Sequence, residues 1–107
     1  MATTASIPLL RILSVPVLAR VTGAHPRTVE RWRAGSQIRR RRFRTRIADL
    51  AAVLATLGPR RSPATQRAWL LSPSPHLGGH RPIDALAAGD VARARAAADR
   101  EAPGLPM

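Results

Sequence analysis

The residues of this sequence best able to do chemistry are arginines, and their spacing favours binding over catalysis. Arg27, Thr28, Arg31 and Arg33 fall on the outward side of a predicted helix, with His25 just ahead of it and Val29 and Trp32 on the opposite side. An arginine near the start of such a helix can donate two parallel hydrogen bonds to guanine in a DNA major groove, worth about 1–3 kcal/mol of discrimination. Downstream, Arg39, Arg40, Arg41, Arg42, Arg44 and Arg46 put six guanidinium groups into eight residues. A cluster of this kind suits phosphate, which positions a duplex without reading its sequence. Unpaired cations at a helix start oppose the helix dipole at about 0.3–1 kcal/mol each, so an anion is the natural complement. Glu30, in the same region, reads as a helix-stabilising residue rather than a base contact.

Other chemistry finds little support. His76 and His80 have the spacing of a metal pair on a helix, but they sit in a Pro/Gly-rich stretch with no third ligand close in sequence. There is no cysteine, no glycine-rich phosphate loop and no Gly-x-Ser-x-Gly. Asp84, Asp90 and Asp99 have the positions of cap and surface residues, not of an acid–base pair. Neither an enzyme nor a cofactor is expected.

All eighteen basic residues are arginine, against six acids, for a net charge of +12 over 107 residues. GC-rich coding would raise arginine everywhere; it would not produce the asymmetry seen here. Residues 1–46 carry eleven arginines and one acid, whereas residues 47–107 carry seven arginines and five acids. A localised positive field attracts polyanions, nucleic acid first. The stretch Ala2–Ser6 lacks the features of a signal peptide, and no apolar run approaches the length of a membrane span. A cytoplasmic protein is expected, nucleoid-associated when bound to DNA, with no membrane partner.

The elements that must position these arginines are all helical. Leu, Ile, Val and Phe number 24 beside twenty alanines, enough for a modest core. No strand pattern and no internal repeat occurs. A short apolar stretch runs from Ile7 to Leu13. Ser14 caps a second helix over Val15–Val21, and Pro26 opens a third that reaches Ala34 before Gly35. Phe43, Ile47, Leu50, Leu54 and Leu57 form one apolar stripe on a fourth helix that ends at Gly58. Ser62 and Pro63 start a fifth, through Trp69 to Leu71; Pro82 starts a short one over Ile83–Ala88; Asp90 caps a last one from Val91 to Ala102. A joint at Gly58–Ser62 divides the chain into residues 1–57, a DNA-binding region, and residues 60–107, a partner-binding region with a tail.

Residues 15–33 carry the landmarks of a helix-turn-helix. Ala19 is the small residue where the two helices cross, Gly23 follows four residues later in the turn, and Leu18, Val21, Val29 and Trp32 are the inward apolar positions. The expected architecture is a small all-α bundle with this motif at the N-terminal end.

The second half resembles a known family. Trp69-Leu70-Leu71-Ser72-Pro73, then His76-Leu77-Gly78-Gly79-His80-Arg81-Pro82-Ile83-Asp84-Ala85-Leu86, then Gly89-Asp90, is similar to the toxin-binding domain of the MbcA/ParS/Xre antitoxins. Pro26-Arg27-Thr28-Val29-Glu30-Arg31-Trp32-Arg33-Ala34-Gly35 resembles the helix-turn-helix of the same family. The final helix departs from the pattern, being rich in Ala and Arg where relatives are bulkier. The resemblance implies an antitoxin that covers the active-site cleft of a cognate RES-domain, NAD-degrading toxin and represses its own operon by binding operator DNA. It implies a homodimer or a hetero-oligomer with the toxin.

The residues expected to touch the toxin are Leu77, Gly78, Gly79, Arg81, Arg93, Arg95, Arg100, Leu105 and Met107. The arginines are multi-donor cations suited to acidic or phosphate-binding surfaces, the glycines permit close backbone approach, and the tail leucine and methionine can enter a groove. Leu77, Ile83 and Leu86 read first as core, as does Trp69. A different class of protein fits the same residues: a stand-alone helix-turn-helix regulator whose C-terminal half only dimerises.

Overall fold

The computed structural model describes residues 9–58 and 61–102. Among them every regular element is helical: α1 (described part 9–12), α2 (Val15–Thr22), α3 (Pro26–Arg33), α4 (Arg41–Leu57), α5 (Pro63–Leu71), a 3-10 turn (Pro75–Leu77), α6 (Pro82–Ala87) and α7 (Val91–Glu101). No described helix is long and apolar enough to cross a membrane.

The helix boundaries follow local chemistry. Ser14 Oγ accepts from Val17 N–H at the start of α2, and Ser62 Oγ accepts from Thr65 N–H at the start of α5. Prolines sit in the first turns of α2, α3, α5 and α6, where their missing N–H has no helical partner to lose. Gly23 ends α2 at φ +80°, a left-handed conformation that returns its N–H to Ala19 O at 2.8 Å. Asp90 corrects an expectation: it precedes α7, yet its side chain makes no capping hydrogen bond and lies 3.8 Å from Arg93 instead.

The apolar stripe of α4 organises the rest. Phe43, Ile47, Leu50, Leu54 and Leu57 are all buried, and Val53, outside the predicted stripe, is buried with them. This helix packs along α7 on one side and meets α2 on another, while α2 also packs against α3 and α6. Leu13, Leu18, Val29, Leu70, Ile83, Leu86, Ala94 and Ala98 therefore join a single apolar cluster. Residues 9–57 and 61–102 share that core. Trp69 is half-buried against the cluster; its neighbour Leu70 is the residue fully enclosed.

Three arginines close the bundle by satisfying carbonyls at helix C-termini far away in sequence. Arg67 donates to Ile12 O at 2.9 Å, Arg61 to Glu101 O at 2.9 Å and Arg46 to Leu86 O at 3.3 Å. Each places a cation where the helix dipole is negative; at Leu86 O, which also accepts from Gly89 N–H at 3.0 Å, Arg46 is a second donor. Arg46 also covers Gly89, where an added Cβ would lie 2.5 Å from its Nη1. With φ at +82°, Gly89 is held to glycine by conformation.

Burial ranks the side chains for stability. Leu50→Ala removes a fully buried side chain from α4 and should cost about 2–5 kcal/mol, whereas Leu71→Ala, at 42% exposure, should change stability by less than about 0.5 kcal/mol. Urea denaturation followed by circular dichroism distinguishes the two; equal effects would contradict this packing.

Candidate functional site

Val29 and Trp32 turn inward from α3, which leaves Arg27, Arg31 and Arg33 exposed and Thr28 half-buried. His25 is exposed too, but its Nδ1 accepts from Arg27 N–H at 3.0 Å, so the imidazole acts as the N-cap of α3. Thr22 fixes the turn before it: its Oγ1 donates to Leu18 O at 2.7 Å and accepts from Ala24 N–H at 3.1 Å. The turn is thus rigid, and the outward face of α3 has a defined direction.

The rings of Trp32 and Phe43 join α3 to the start of α4, with centroids 5.4 Å apart and planes tilted by 58°. Above this pair lies an open groove of about 460 Å³ walled by Thr28, Arg31, Ser36, Gln37, Arg39 and Arg40. Arg40 and Arg42 sit over the Phe43 ring at 5.9 and 5.1 Å, which partly compensates two cations at a helix start that has no side-chain cap. Among the described residues the ion pairs are Arg20–Asp84, Arg81–Asp84 and Arg93–Asp90; none involves the arginines of α3 or of residues 39–42.

Arg44 is bound within its own segment. Its Nη1 donates to Ile38 O at 2.9 Å and Arg39 O at 2.7 Å, folding the 34–40 loop back onto α4. A guanidinium held by two carbonyls is a poor candidate for direct phosphate contact. Arg46, the last of the run, is committed to Leu86 O as described. The structure therefore brings together Thr28, Arg31, Arg39 and Arg40 around one groove, with Arg27 on the same outward side of α3 as Arg31, and ties Arg44 to the loop carbonyls.

The second half presents a different surface. Arg81 donates through Nε to Asp84 Oδ2 at 3.0 Å and through Nη2 to Oδ1 at 3.2 Å, a two-point pair on α6. Arg20 of α2 donates to the same Oδ1 at 3.1 Å, so Asp84 joins the halves at the surface. The hydrogen bond from Arg81, then that from Arg20, holds the Asp84 carboxyl below the usual carboxylate range against the opposing effect of burial; the same pair raises Arg81. Arg93, Arg95 and Arg100 are exposed on α7.

Leu77 corrects its partner-facing assignment. It is 2% exposed and plugs the 3-10 turn against α7, as its first reading as core requires. Ser74 closes that loop: its carbonyl accepts from Leu77 and Gly79 N–H, and its N–H donates to His80 O at 2.9 Å. Gly78 and Gly79, at φ +62° and +86°, are exposed, and a Cβ on either would meet nothing. Their need for glycine is conformational. Leu105 and Met107 lie outside the described residues. Ser36, Gln37 and Asp84 were not anticipated at the site; only Asp84, three residues after Arg81, carried a sequence signal as an i,i+3 ion pair.

No protein-family model matches the chain. The mycobacterial cidal antitoxin MbcA of Mycobacterium tuberculosis H37Rv is 31% identical over 85 residues, spanning 79% of this chain and 75% of that protein. This chain belongs to the MbcA family of antitoxins. MbcA of Mycobacterium bovis matches to the same extent. A chain in the crystal structure of the M. tuberculosis MbcT–MbcA toxin–antitoxin complex superposes with a TM-score of 0.77 at 29% identity, covering 99% of this chain and 96% of that one. The likeness to MbcA thus extends through both halves.

A pH dependence follows from Asp84. Because its folded pKa is depressed, its contribution to stability is present at neutral pH and is lost as pH falls through the folded value, below the ordinary carboxylate range. Asp84→Asn should lower the urea midpoint at neutral pH, and the gap to wild type should close in acid. A gap independent of pH would show that Asp84 acts by packing alone.

Proposed function

We propose that this MbcA-family protein neutralises a cognate RES-domain, NAD-degrading toxin by covering the toxin's active-site cleft with residues 60–107, and represses its own operon by presenting residues 1–57 to operator DNA. The single observation that carries the antitoxin part is the alignment of 99% of the chain with a chain of the MbcT–MbcA complex. Similarity restricted to one helical hairpin would have supported only a common scaffold. The candidate toxin contacts are the exposed Arg81, Arg93, Arg95 and Arg100, the backbone at Gly78–Gly79, and the tail with Leu105 and Met107. Arg81 is pre-oriented by Asp84, so it loses little side-chain freedom on meeting a partner.

The DNA-binding part draws support from α2 and α3 as a helix-turn-helix. Arg27 and Arg31 project on the side of α3 opposite Val29 and Trp32, as base reading in a major groove requires. The charge bias of residues 1–46 supplies the field that brings a duplex to that face. A homodimer would repeat the recognition helix on two half-sites; a hetero-oligomer with the toxin serves the same purpose.

Co-expression with the adjacent open reading frame should yield a complex that co-purifies, and this chain should rescue growth from that neighbour's product. Failure of both would remove the toxin-binding function. Arg81→Ala, or removal of residues 103–107, should weaken rescue while DNA binding persists. Arg27→Ala with Arg31→Ala should abolish preference for operator over unrelated DNA in a mobility-shift assay and leave non-specific binding; retained preference would place the reading residues elsewhere.

A further inference from the structure

The arginines that follow α3 differ in what they are free to do, and the difference defines a site. Arg42 covers the Phe43 ring, Arg44 is held by two carbonyls, and Arg46 is held by Leu86 O. Arg39 and Arg40 remain exposed at the wall of the groove above Trp32 and Phe43, across from Arg31. Arg40 also lies over the Phe43 ring, 5.9 Å from its centroid, farther than Arg42 at 5.1 Å. We propose that this groove seats a backbone phosphodiester of duplex DNA, bound directly by Arg39 and Arg40, and that Arg44 is the positioning residue that holds their loop in place.

Four observations converge on this assignment. The groove, about 460 Å³ and open to solvent, has room for a phosphate and its flanking sugar edges. Its remaining wall residues, Ser36 and Gln37, add neutral hydrogen-bonding groups of the kind that accompany arginine at phosphate. Among the described residues no carboxylate pairs with Arg31, Arg39 or Arg40, so their charge is left for an external anion. The loop carrying them is fixed at both ends: Ser36 N–H donates to Arg31 O at 2.9 Å, and Arg44 binds Ile38 O and Arg39 O. A seat already ordered before binding gives up little conformational freedom when the anion arrives.

The geometry also ties the seat to the reading face. Thr28 and Arg31 belong both to the groove wall and to the outward side of α3, so a phosphate held here sets the register at which Arg27 and Arg31 meet base edges. This inference rests on the DNA-binding reading of α3, and its test separates the two.

The measurement is binding of a short fluorescein-labelled duplex of unrelated sequence across a potassium chloride series, for the wild-type chain and for variants whose fold is checked by circular dichroism. Arg39→Gln with Arg40→Gln should reduce the log–log salt slope by about 0.9, since the two side chains share one neutralised phosphate. Arg11→Gln, an exposed cation on α1 outside the groove wall, should leave the slope unchanged. Arg44→Leu removes the Nη1 donor to both carbonyls; it should weaken binding in the wild-type background and have no further effect in the Arg39/Arg40 double variant. An unchanged slope in the double variant, or an equal loss for Arg11→Gln, would overturn the seat while leaving DNA binding intact. Additive effects of Arg44→Leu in both backgrounds would overturn its positioning role. If the wild-type chain binds no duplex at low salt, the DNA-binding reading itself fails, and the seat with it.

Discussion

Burial of α4 from two sides is the constraint on which the rest of the molecule depends. Ile47, Leu50, Val53 and Leu57 are completely enclosed, and the helix achieves this only by packing along α7 while also meeting α2. With 24 large aliphatic and phenylalanine residues in the whole chain, there is too little apolar surface for two independent interiors. One interior is shared, and α4 is its axis. The consequence reaches the surface, because α6 and α7 pack on this helix, while α3 packs on α2 and joins the start of α4 through Trp32 and Phe43.

Arginine has two physical roles here. Arg46, Arg61 and Arg67 give hydrogen bonds to helix C-terminal carbonyls, where an unsatisfied acceptor and a negative dipole end would otherwise cost stability. Arg27, Arg31, Arg39 and Arg40 face solvent without a carboxylate partner among the described residues. The first set spends its charge inside the molecule; the second keeps it for something outside. This division turns a bulk net charge of +12 into a directed field.

The link between halves at the surface is made by Asp84, which receives Arg20 from α2 and Arg81 from α6. In an MbcA-family antitoxin proposed to face DNA with one region and a toxin with the other, such a link keeps the two faces in fixed relation. The closed loop around Ser74 and Leu77 does the same for the glycine pair, by holding it on the outside while the leucine enters the core.

Much of this was legible in the chain itself. Helix starts at Ser14, Pro26, Ser62 and Pro82, stops at Gly23 and Gly58, and the stripe from Phe43 to Leu57 are set by interactions within a few residues, so local sequence determines them. The charge asymmetry and the inward positions Val29 and Trp32 are equally local facts, as is the Trp-to-Arg-Pro string that resembles the antitoxin family. Which arginine is spent and which is free was not legible, because Arg46 and Arg61 find their acceptors forty residues away, and Arg67 fifty-five. Nor could spacing show that Asp90 leaves its cap unmade or that Ser36 and Gln37 border a groove. Periodicity and capping act over one or two helical turns, whereas the environment of a side chain depends on every element packed around it, and only the assembled bundle specifies that.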